Sequence, residues 1–213
     1  KLGEWTGWGD YVLPNNTNSQ AQVLAPDPPR MMRDGNSIVS THREYLGDII
    51  SSSPIGAFKI DKYGINPSDS NTFPWLSQVV QANFQQFKFD QLAFEFRTFS
   101  ADALNSTNTA LGAVFACINY DYSDPDIQSR QQVENTDWAN SCKPSESMIV
   151  PVECDPKQTG LNSGLLYIIN GNTVPTNADP KTYYLGKFFI GSTGMQAASV
   201  NIGSLYVSYR VRI

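Results

Sequence analysis

The chain has 213 residues, of which 40% are hydrophobic and 16% charged, with a formal net charge of −5. A domain of this length buries roughly 70% of its unfolded surface, so it needs no disulfide or metal to fold. The acidic balance argues against a folded nucleic-acid-binding domain with a strongly basic surface. No apolar run approaches the ~18 residues of a membrane span.

Residues 1–35 show no hydrophobic period. Trp5, Trp8 and Tyr11 lie there among Gly, Pro and Asn residues. This composition predicts a largely irregular N-terminal arm that lies on another surface. Residues 36–213 contain no repeat, low-complexity tract or linker, so they are predicted to form one domain.

Eight segments of that domain have the alternation or apolar content typical of strands. The last alternates most clearly, and segment 111–122 is apolar on both faces, as in a strand central to a sandwich. The predicted strands are 37–49, 57–61, 86–99, 111–122, 147–153, 164–170, 183–193 and 204–213. With long loops and one or two short inserted helices, they predict an all-β protein, an eight-stranded double-sheet jelly roll.

One helix is predicted between the second and third strands. Asn71 or Thr72 is suited to cap it, and Pro74 fits its first position. Apolar residues then recur at helical spacing, at Leu76, Val79 or Val80, Phe84 and Phe87, after which the period changes to two. The simplest interpretation is a helix that packs only on its own core.

Three cysteines and one histidine are present, with no CxxC spacing. Cys117 lies in an apolar segment, where a buried free thiol is expected. Cys142 and Cys154 could pair, but so few cysteines in a domain of this size argue against a disulfide framework.

Several short motifs occur in a fixed order along the chain. They are STHREYLGDI (40–49), FPWLS (73–77), LNSTNTALG (104–112), CKPS (142–145) and PVEC (151–154). This ordered set resembles the jelly-roll capsid (coat) proteins of small icosahedral viruses. The resemblance is closest to circular single-stranded DNA viruses with tombusvirus-like capsid proteins. It covers about residues 37–155, with weaker similarity through the C-terminal strands.

The resemblance implies a structural subunit of the virion that self-assembles into an icosahedral shell of 60 subunits or a multiple of 60. It implies no membrane and no required cofactor, and the sequence identifies no host receptor. Packaged viral nucleic acid is expected to bind mainly through a basic arm that precedes Lys1. The helix is expected near a subunit boundary, with Phe73, Trp75 and Leu76 as candidate interface residues.

Three carboxylates, Asp121, Asp124 and Asp126, lie close together after the fourth predicted strand. Such carboxylates repel one another unless cations neutralise them, and Ca²⁺ takes six to eight oxygen ligands from loops of this kind. The resemblance implies calcium between subunits at Asp-rich loops. The alternative is a solvated Asp-Pro turn.

Four arginines are predicted to approach one another, because the first, third and last strands of a jelly roll share a sheet. They are Arg43, Arg97, Arg210 and Arg212, and they are candidates to face the packaged genome. The alternative, which we favour, is that these arginines pair with Glu44 and Glu95 across strands.

No enzyme motif is present: the sequence has no GxSxG, HExxH or phosphate-binding glycine loop. The chain is therefore predicted not to be an enzyme, although Glu44 and Glu95 are a conceivable glycosidase pair. The main alternative function is a carbohydrate-binding β-sandwich module, with calcium beside the aromatic residues Trp5, Trp8, Tyr122 and Trp138.

Overall fold

Two antiparallel sheets make up most of the computed structural model, which describes residues 30–100, 112–136, 138–155, 164–170 and 173–213. The strands are β1 (Arg30–Asp34), β2 (Ser37–Ile50), β3 (Lys59–Gly64), β4 (Gln86–Thr98), β5 (Ala113–Asn119), β6 (Asn140–Cys142), β7 (Met148–Pro151), β8 (Leu166–Tyr167), β9 (Lys187–Thr193) and β10 (Asn201–Arg212). The helices are α1 (Leu76–Val80), α2 (Arg130–Glu134) and a short 3₁₀ helix, Pro180–Thr182. None of the helices in these ranges is long and apolar enough to cross a membrane.

The strands of the first sheet lie in the order β1-β2-β10-β4-β7, and β8 pairs with the start of β4. The second sheet has the order β3-β9-β5-β6. The chain crosses between the two sheets repeatedly, so strands that are distant in sequence become neighbours, as in a jelly roll. The C-terminal strand β10 lies between β2 and β4 and pairs with both along most of its length.

The predicted fold class is confirmed: the chain is mostly β, with two antiparallel sheets and few short helices. Most strand boundaries shift by a few residues, and the largest differences from the prediction lie in three places. β1 falls within the predicted arm, whose residues 1–29 lie outside the described part of the chain. β6 was not predicted, because three residues are too few to show a period. The predicted strand 164–170 is reduced to the two residues of β8.

The main core lies between the two sheets. Phe94 of β4 stacks on Phe188 of β9 with ring centroids 3.9 Å apart, which joins the sheets at their centre. A second cluster covers the other face of β5, where Phe115 and Cys117 pack against Ile127 and Val133. Residues 114–118 are consequently all buried, which confirms that both faces of this strand are covered.

All three cysteines are free thiols. Cys117 is buried, as predicted, and Cys142 and Cys154 do not pair. Burial raises the pKa of the Cys117 thiol to about 11 and that of Cys154 to about 12. The thiolate form that reacts with oxidants is therefore scarce at neutral pH.

Helix α1 is held by a carboxylate from a distant strand. The side chain of Glu44, on β2, is buried and accepts hydrogen bonds from the backbone N–H groups of Trp75 at 2.6 Å and Leu76 at 3.2 Å. The Tyr209 hydroxyl donates a third bond to Glu44 at 2.5 Å. Burial, together with this neighbouring carboxylate, raises the pKa of Tyr209.

The predicted cap at Asn71 or Thr72 is therefore wrong. The Thr72 hydroxyl donates instead to the Gly64 carbonyl at 2.7 Å, and the N-cap residue, Trp75, makes no capping bond with its own side chain. A carboxylate at this position satisfies N–H groups that have no partner within the helix, and its charge is favoured by the helix dipole. The helix also ends earlier than predicted, at Val80, where the chain turns toward β4.

We predict that Glu44→Gln lowers the free energy of unfolding by about 2–3 kcal/mol, because the buried donors lose a charged acceptor. Urea-induced unfolding followed by tryptophan fluorescence measures this change. Glu146→Gln is the matched control, since the Glu146 side chain is 55% exposed and its nearest cation is 3.8 Å away. Equal unfolding midpoints for the two variants would contradict the role of Glu44.

Candidate functional site

The three candidate interface residues on and before α1 differ in exposure. Phe73 and Leu76 are completely buried, and Phe73 packs against Phe89 and Tyr209 at centroid distances of 5.5 and 5.4 Å. Their side chains belong to the core of the subunit and have no surface to offer to a neighbour. Trp75 is half-buried, with its ring edge-on to His42 at 5.1 Å. Its part in an interface stays a prediction.

The outer face of the first sheet carries a compact charged cluster. The buried carboxylate of Glu95 pairs with Arg43 at 2.7 Å and with Arg97 at 2.6 Å. Both guanidinium groups also lie over the ring of Tyr206, at 4.1 and 5.3 Å from its centroid. The Arg43 side chain is only 9% exposed. Through these contacts, the two arginines hold β2, β4 and β10 together.

The two remaining candidate arginines form a separate cluster. Arg210 lies 3.8 Å from Asp90, and Arg212 lies 2.6 Å from Asp34 and 3.5 Å from Asp90. Their side chains are 51% and 36% exposed. They remain accessible to a partner, although their charges are already matched.

The predicted pairing of arginines is thus correct for Glu95 and wrong for Glu44. Glu44 pairs in register with Val207 of the core face, whereas Glu95 pairs with Tyr206 on the outer face. Side chains of consecutive strand residues point to opposite faces of a sheet. The first sheet therefore separates the two carboxylates, and they do not form a glycosidase pair.

The acidic loop is neutralised by lysines from other parts of the chain. Asp121 pairs with Lys181 at 2.7 Å, and Asp126 pairs with Lys62 at 2.7 Å and with Lys187 at 2.9 Å. The hydrogen bond from Lys181 lowers the pKa of Asp121, and the bonds from Lys62 and then Lys187 lower that of Asp126. Asp121 and Asp126 thus each have an ammonium partner within the chain.

Asp124 completes the loop, and no cation of the described residues pairs with its carboxylate. Its side chain accepts a bond from the Asn119 amide at 3.1 Å, and its backbone carbonyl accepts one from Lys187 at 2.6 Å. In the described ranges, no three His, Cys, Asp or Glu side chains are grouped to hold a metal ion. Calcium at Asp121, Asp124 and Asp126 stays a prediction, which depends on ligands from a second subunit.

Of the four aromatic residues named for the alternative carbohydrate-binding module, the structure describes Tyr122 and Trp138. Trp5 and Trp8 lie outside the described residues. Tyr122 stacks on Tyr184 at 3.8 Å, so one face of its ring is covered. Trp138 is 57% exposed and has a positive φ of 63°.

Sequence reasoning missed two features of these clusters. Tyr206, between Arg43 and Arg97, is one of several outward residues in an alternating strand and carries no distinguishing signal. Lys187 did have a signal, because it is a lone charge within the apolar segment YYLGKFFIGST. A lysine in such a strand is rarely buried without an anionic partner.

Taken together, the described strands form a jelly roll with a charged outer face on the β2-β10-β4 sheet, an architecture typical of viral shell domains. Comparison with protein families gives the same class, because the model of the viral coat protein S domain matches residues 15–213. The chain belongs to this family of viral coat proteins. The role of the family is structural, in agreement with the prediction that the chain is not an enzyme.

Individual relatives are capsid proteins. The chain is 27% identical over 203 residues to the capsid protein of Pothos latent virus, covering 92% of this chain and 48% of that protein. It is 29% identical over 222 residues to the capsid protein of Oat chlorotic stunt virus, covering 98% and 44%. The structure of Melon necrotic spot virus superposes with a TM-score of 0.71 at 23% identity, covering 95% of this chain and 58% of that one.

The comparisons leave one prediction without support. The relatives are tombusvirus-like capsid proteins of single-stranded RNA viruses, so the predicted closer resemblance to circular single-stranded DNA viruses is not supported. The chain spans about half the length of the curated relatives it matches.

We predict that Lys187→Met lowers the free energy of unfolding by about 2 kcal/mol at pH 7, because Asp126 loses its buried partner. The pKa of Asp126 is below its ordinary 3.8 in the folded chain. Its ion pairs therefore stabilise the fold above that ordinary value, and this stabilisation is lost as the pH falls through the lowered pKa. Urea unfolding at pH 7 and at acid pH measures both effects.

The control for this variant is Lys143→Met, since the Lys143 side chain is 74% exposed and 3.8 Å from its partner. It should change stability by less than about 0.5 kcal/mol. If the Lys187→Met variant is as stable as this control at pH 7, the buried ion pair does not hold the loop.

Proposed function

We propose that this chain is the shell domain of a viral capsid subunit, which assembles with copies of itself into an icosahedral shell of the virion. The single observation that carries this proposal is the family match over residues 15–213, on a chain whose strand order is that of a jelly roll. Icosahedral closure then requires 60 subunits or a multiple of 60.

Exposed apolar side chains at one end of the sandwich support this proposal. Three loops meet there, as shown by backbone bonds from Ser51 to Val200 and from Phe99 to Ile202. Ile55 is 66% exposed, Phe99 62% and Val200 44%. Large apolar residues grouped on a surface are typical of contacts with another protein. Because the family consists of viral coat proteins, the expected partner is a second copy of the same chain.

For the genome, we propose that packaged nucleic acid is bound mainly by a basic segment preceding Lys1. The four candidate arginines support this indirectly. Arg43 and Arg97 share Glu95, and Arg210 and Arg212 share Asp90. Guanidinium groups already matched by carboxylates release few counterions from a phosphate backbone, so they add little to the affinity for nucleic acid.

We predict that Trp75→Ala reduces particle assembly more than it reduces folding. A buried aromatic anchor at an interface contributes roughly 2–4 kcal/mol, and the loss is repeated at every copy. Sedimentation velocity measures the fraction of subunits in particles, and urea unfolding measures subunit stability. Phe73→Ala is the contrasting variant, because it removes a core side chain and should cost roughly 3–5 kcal/mol of folding free energy.

If Trp75→Ala unfolds the isolated subunit as severely as Phe73→Ala does, α1 is only a core element. Wild-type protein that sediments only as monomer or dimer, under conditions that preserve native particles, would overturn the capsid proposal itself.

We predict that the 213-residue chain binds single-stranded RNA weakly. If only Arg210 and Arg212 reach phosphates, log Kobs against log salt should have a slope of magnitude about 1.4, from about 0.7 per phosphate contact. The double variant Arg210→Gln, Arg212→Gln should remove most of that slope. The control variant Arg130→Gln, which changes an arginine on α2 over the other sheet, should leave the slope unchanged. Tight, sequence-selective binding by this chain would contradict the proposal of a separate basic segment.

A further inference from the structure

A groove of about 400 Å³ lies between the residues that follow α1 and the segment around β8. Its walls are formed by amide side chains and aromatic rings, among them Gln85, Asn170, Tyr167 and Tyr183. None of its described lining residues is charged. A second hollow of about 240 Å³ continues from Phe84 and Gln85 toward the C-terminus.

The two tyrosine-bearing segments are fixed by one buried amide. The Asn66 side chain donates to the carbonyl of Tyr167 at 3.0 Å and to that of Tyr183 at 2.7 Å. The Ser68 hydroxyl in turn donates to the Asn66 side chain at 2.6 Å and accepts a bond from the Ile169 N–H at 3.2 Å. The groove is thus held in shape before any ligand enters.

Several polar groups of the groove are available. Gln85 and Asn170 are exposed, and their amides have no hydrogen-bond partner within the described part of the chain. Asn83 uses its N–H₂ group on the Val79 carbonyl at 3.0 Å, which leaves its amide oxygen to accept. The rings of Tyr167 and Tyr183 lie 5.8 Å apart and 45° to each other, and Tyr167 is 46% exposed.

We propose that this groove binds a neutral carbohydrate, an uncharged pyranose unit of a glycan. Sugar hydroxyls both donate and accept hydrogen bonds, and so do the amide side chains that line the groove. A tyrosine ring offers an apolar face to the C–H groups of a sugar ring and a hydroxyl at its edge. The volume is within the range of small-molecule sites, and the adjoining hollow leaves room for a second ring.

Other ligand classes fit the groove less well. Nucleic acids and phosphorylated ligands are recognised through cations, which the described lining of the 400 Å³ groove lacks. Arg212, which lines the adjoining hollow, is already paired with Asp34 and Asp90. An extended peptide commonly adds to a free strand edge. Here the start of β4 is already paired with β8, and Ile168 N–H donates to the Gln85 carbonyl at 2.9 Å.

This groove is not the site of the carbohydrate-binding module that the sequence suggested as an alternative. It uses neither Tyr122 nor Trp138, and it requires no calcium. It adds a ligand to a capsid subunit and leaves the assembly proposal unchanged.

The test uses particles formed by the full-length protein and three neutral probes: cellohexaose, mannohexaose and chitohexaose. Saturation-transfer NMR should detect binding of at least one of them. Tyr167→Ala and Gln85→Ala should each weaken that binding at least about tenfold, because each removes a contact worth about 1.4 kcal/mol. Sedimentation velocity confirms that the variant particles are intact.

Trp138→Ala is the matched control, because it removes an exposed aromatic side chain outside the groove. Binding should be unchanged in this variant. The proposal is overturned if none of the three probes binds to wild-type particles. It is also overturned if binding survives both groove variants, or if it falls equally in the Trp138 control, since the contact would then be general stacking on exposed rings.

Discussion

The buried carboxylate of Glu44 determines how α1 meets the first sheet. It joins three elements, because it lies on β2 and accepts bonds from the Trp75 and Leu76 N–H groups at the start of α1 and from Tyr209 on β10. With the helix start fixed in this way, Phe73 and Leu76 point into the core and Trp75 is left at its edge. The position of the residues after the helix, which form one wall of the amide-lined groove, follows from the same anchor.

The other buried charged side chains are likewise held close to a partner. Glu95 lies between Arg43 and Arg97, and Lys187 lies beside Asp126. Leaving any of these charges buried without a partner would cost several kcal/mol. The outer face of the first sheet and the acidic loop are therefore closed ion-pair clusters, and they offer little unmatched charge to a genome or to a metal ion.

Regular hydrophobic patterns in the sequence were sufficient to predict the longer strands. The alternation in the last strand placed Leu205, Val207, Tyr209, Val211 and Ile213 inward. The first four are buried, and Ile213 is partly buried against the core. The pattern of segment 111–122 likewise indicated a strand buried on both faces. Short elements were not predictable in this way, because the three residues of β6 and the two of β8 are defined by their partners across the sheet.

Long-range electrostatic partners were the main features that the sequence did not reveal. The groups that hold α1 and the acidic loop lie far away in the chain: Glu44 is 31 residues from Trp75, and Lys181 is 60 from Asp121. A local pattern therefore indicated an Asn or Thr cap, whereas folding supplied the Glu44 carboxylate, and the sequence around the acidic loop gave no sign of the three lysines beside it. The ordered motifs identified the capsid family correctly, but the closer resemblance to single-stranded DNA viruses found no support among the relatives, which come from RNA viruses.

The most direct test of this account is an electron cryo-microscopy reconstruction of particles formed by the full-length protein. We expect an icosahedral shell whose subunits contain this jelly roll, with Glu44 within hydrogen-bond distance of the Trp75 and Leu76 N–H groups. A neighbouring copy should cover the exposed part of the Trp75 ring. A shell in which α1 has left Glu44, or in which Trp75 faces only solvent, would contradict it.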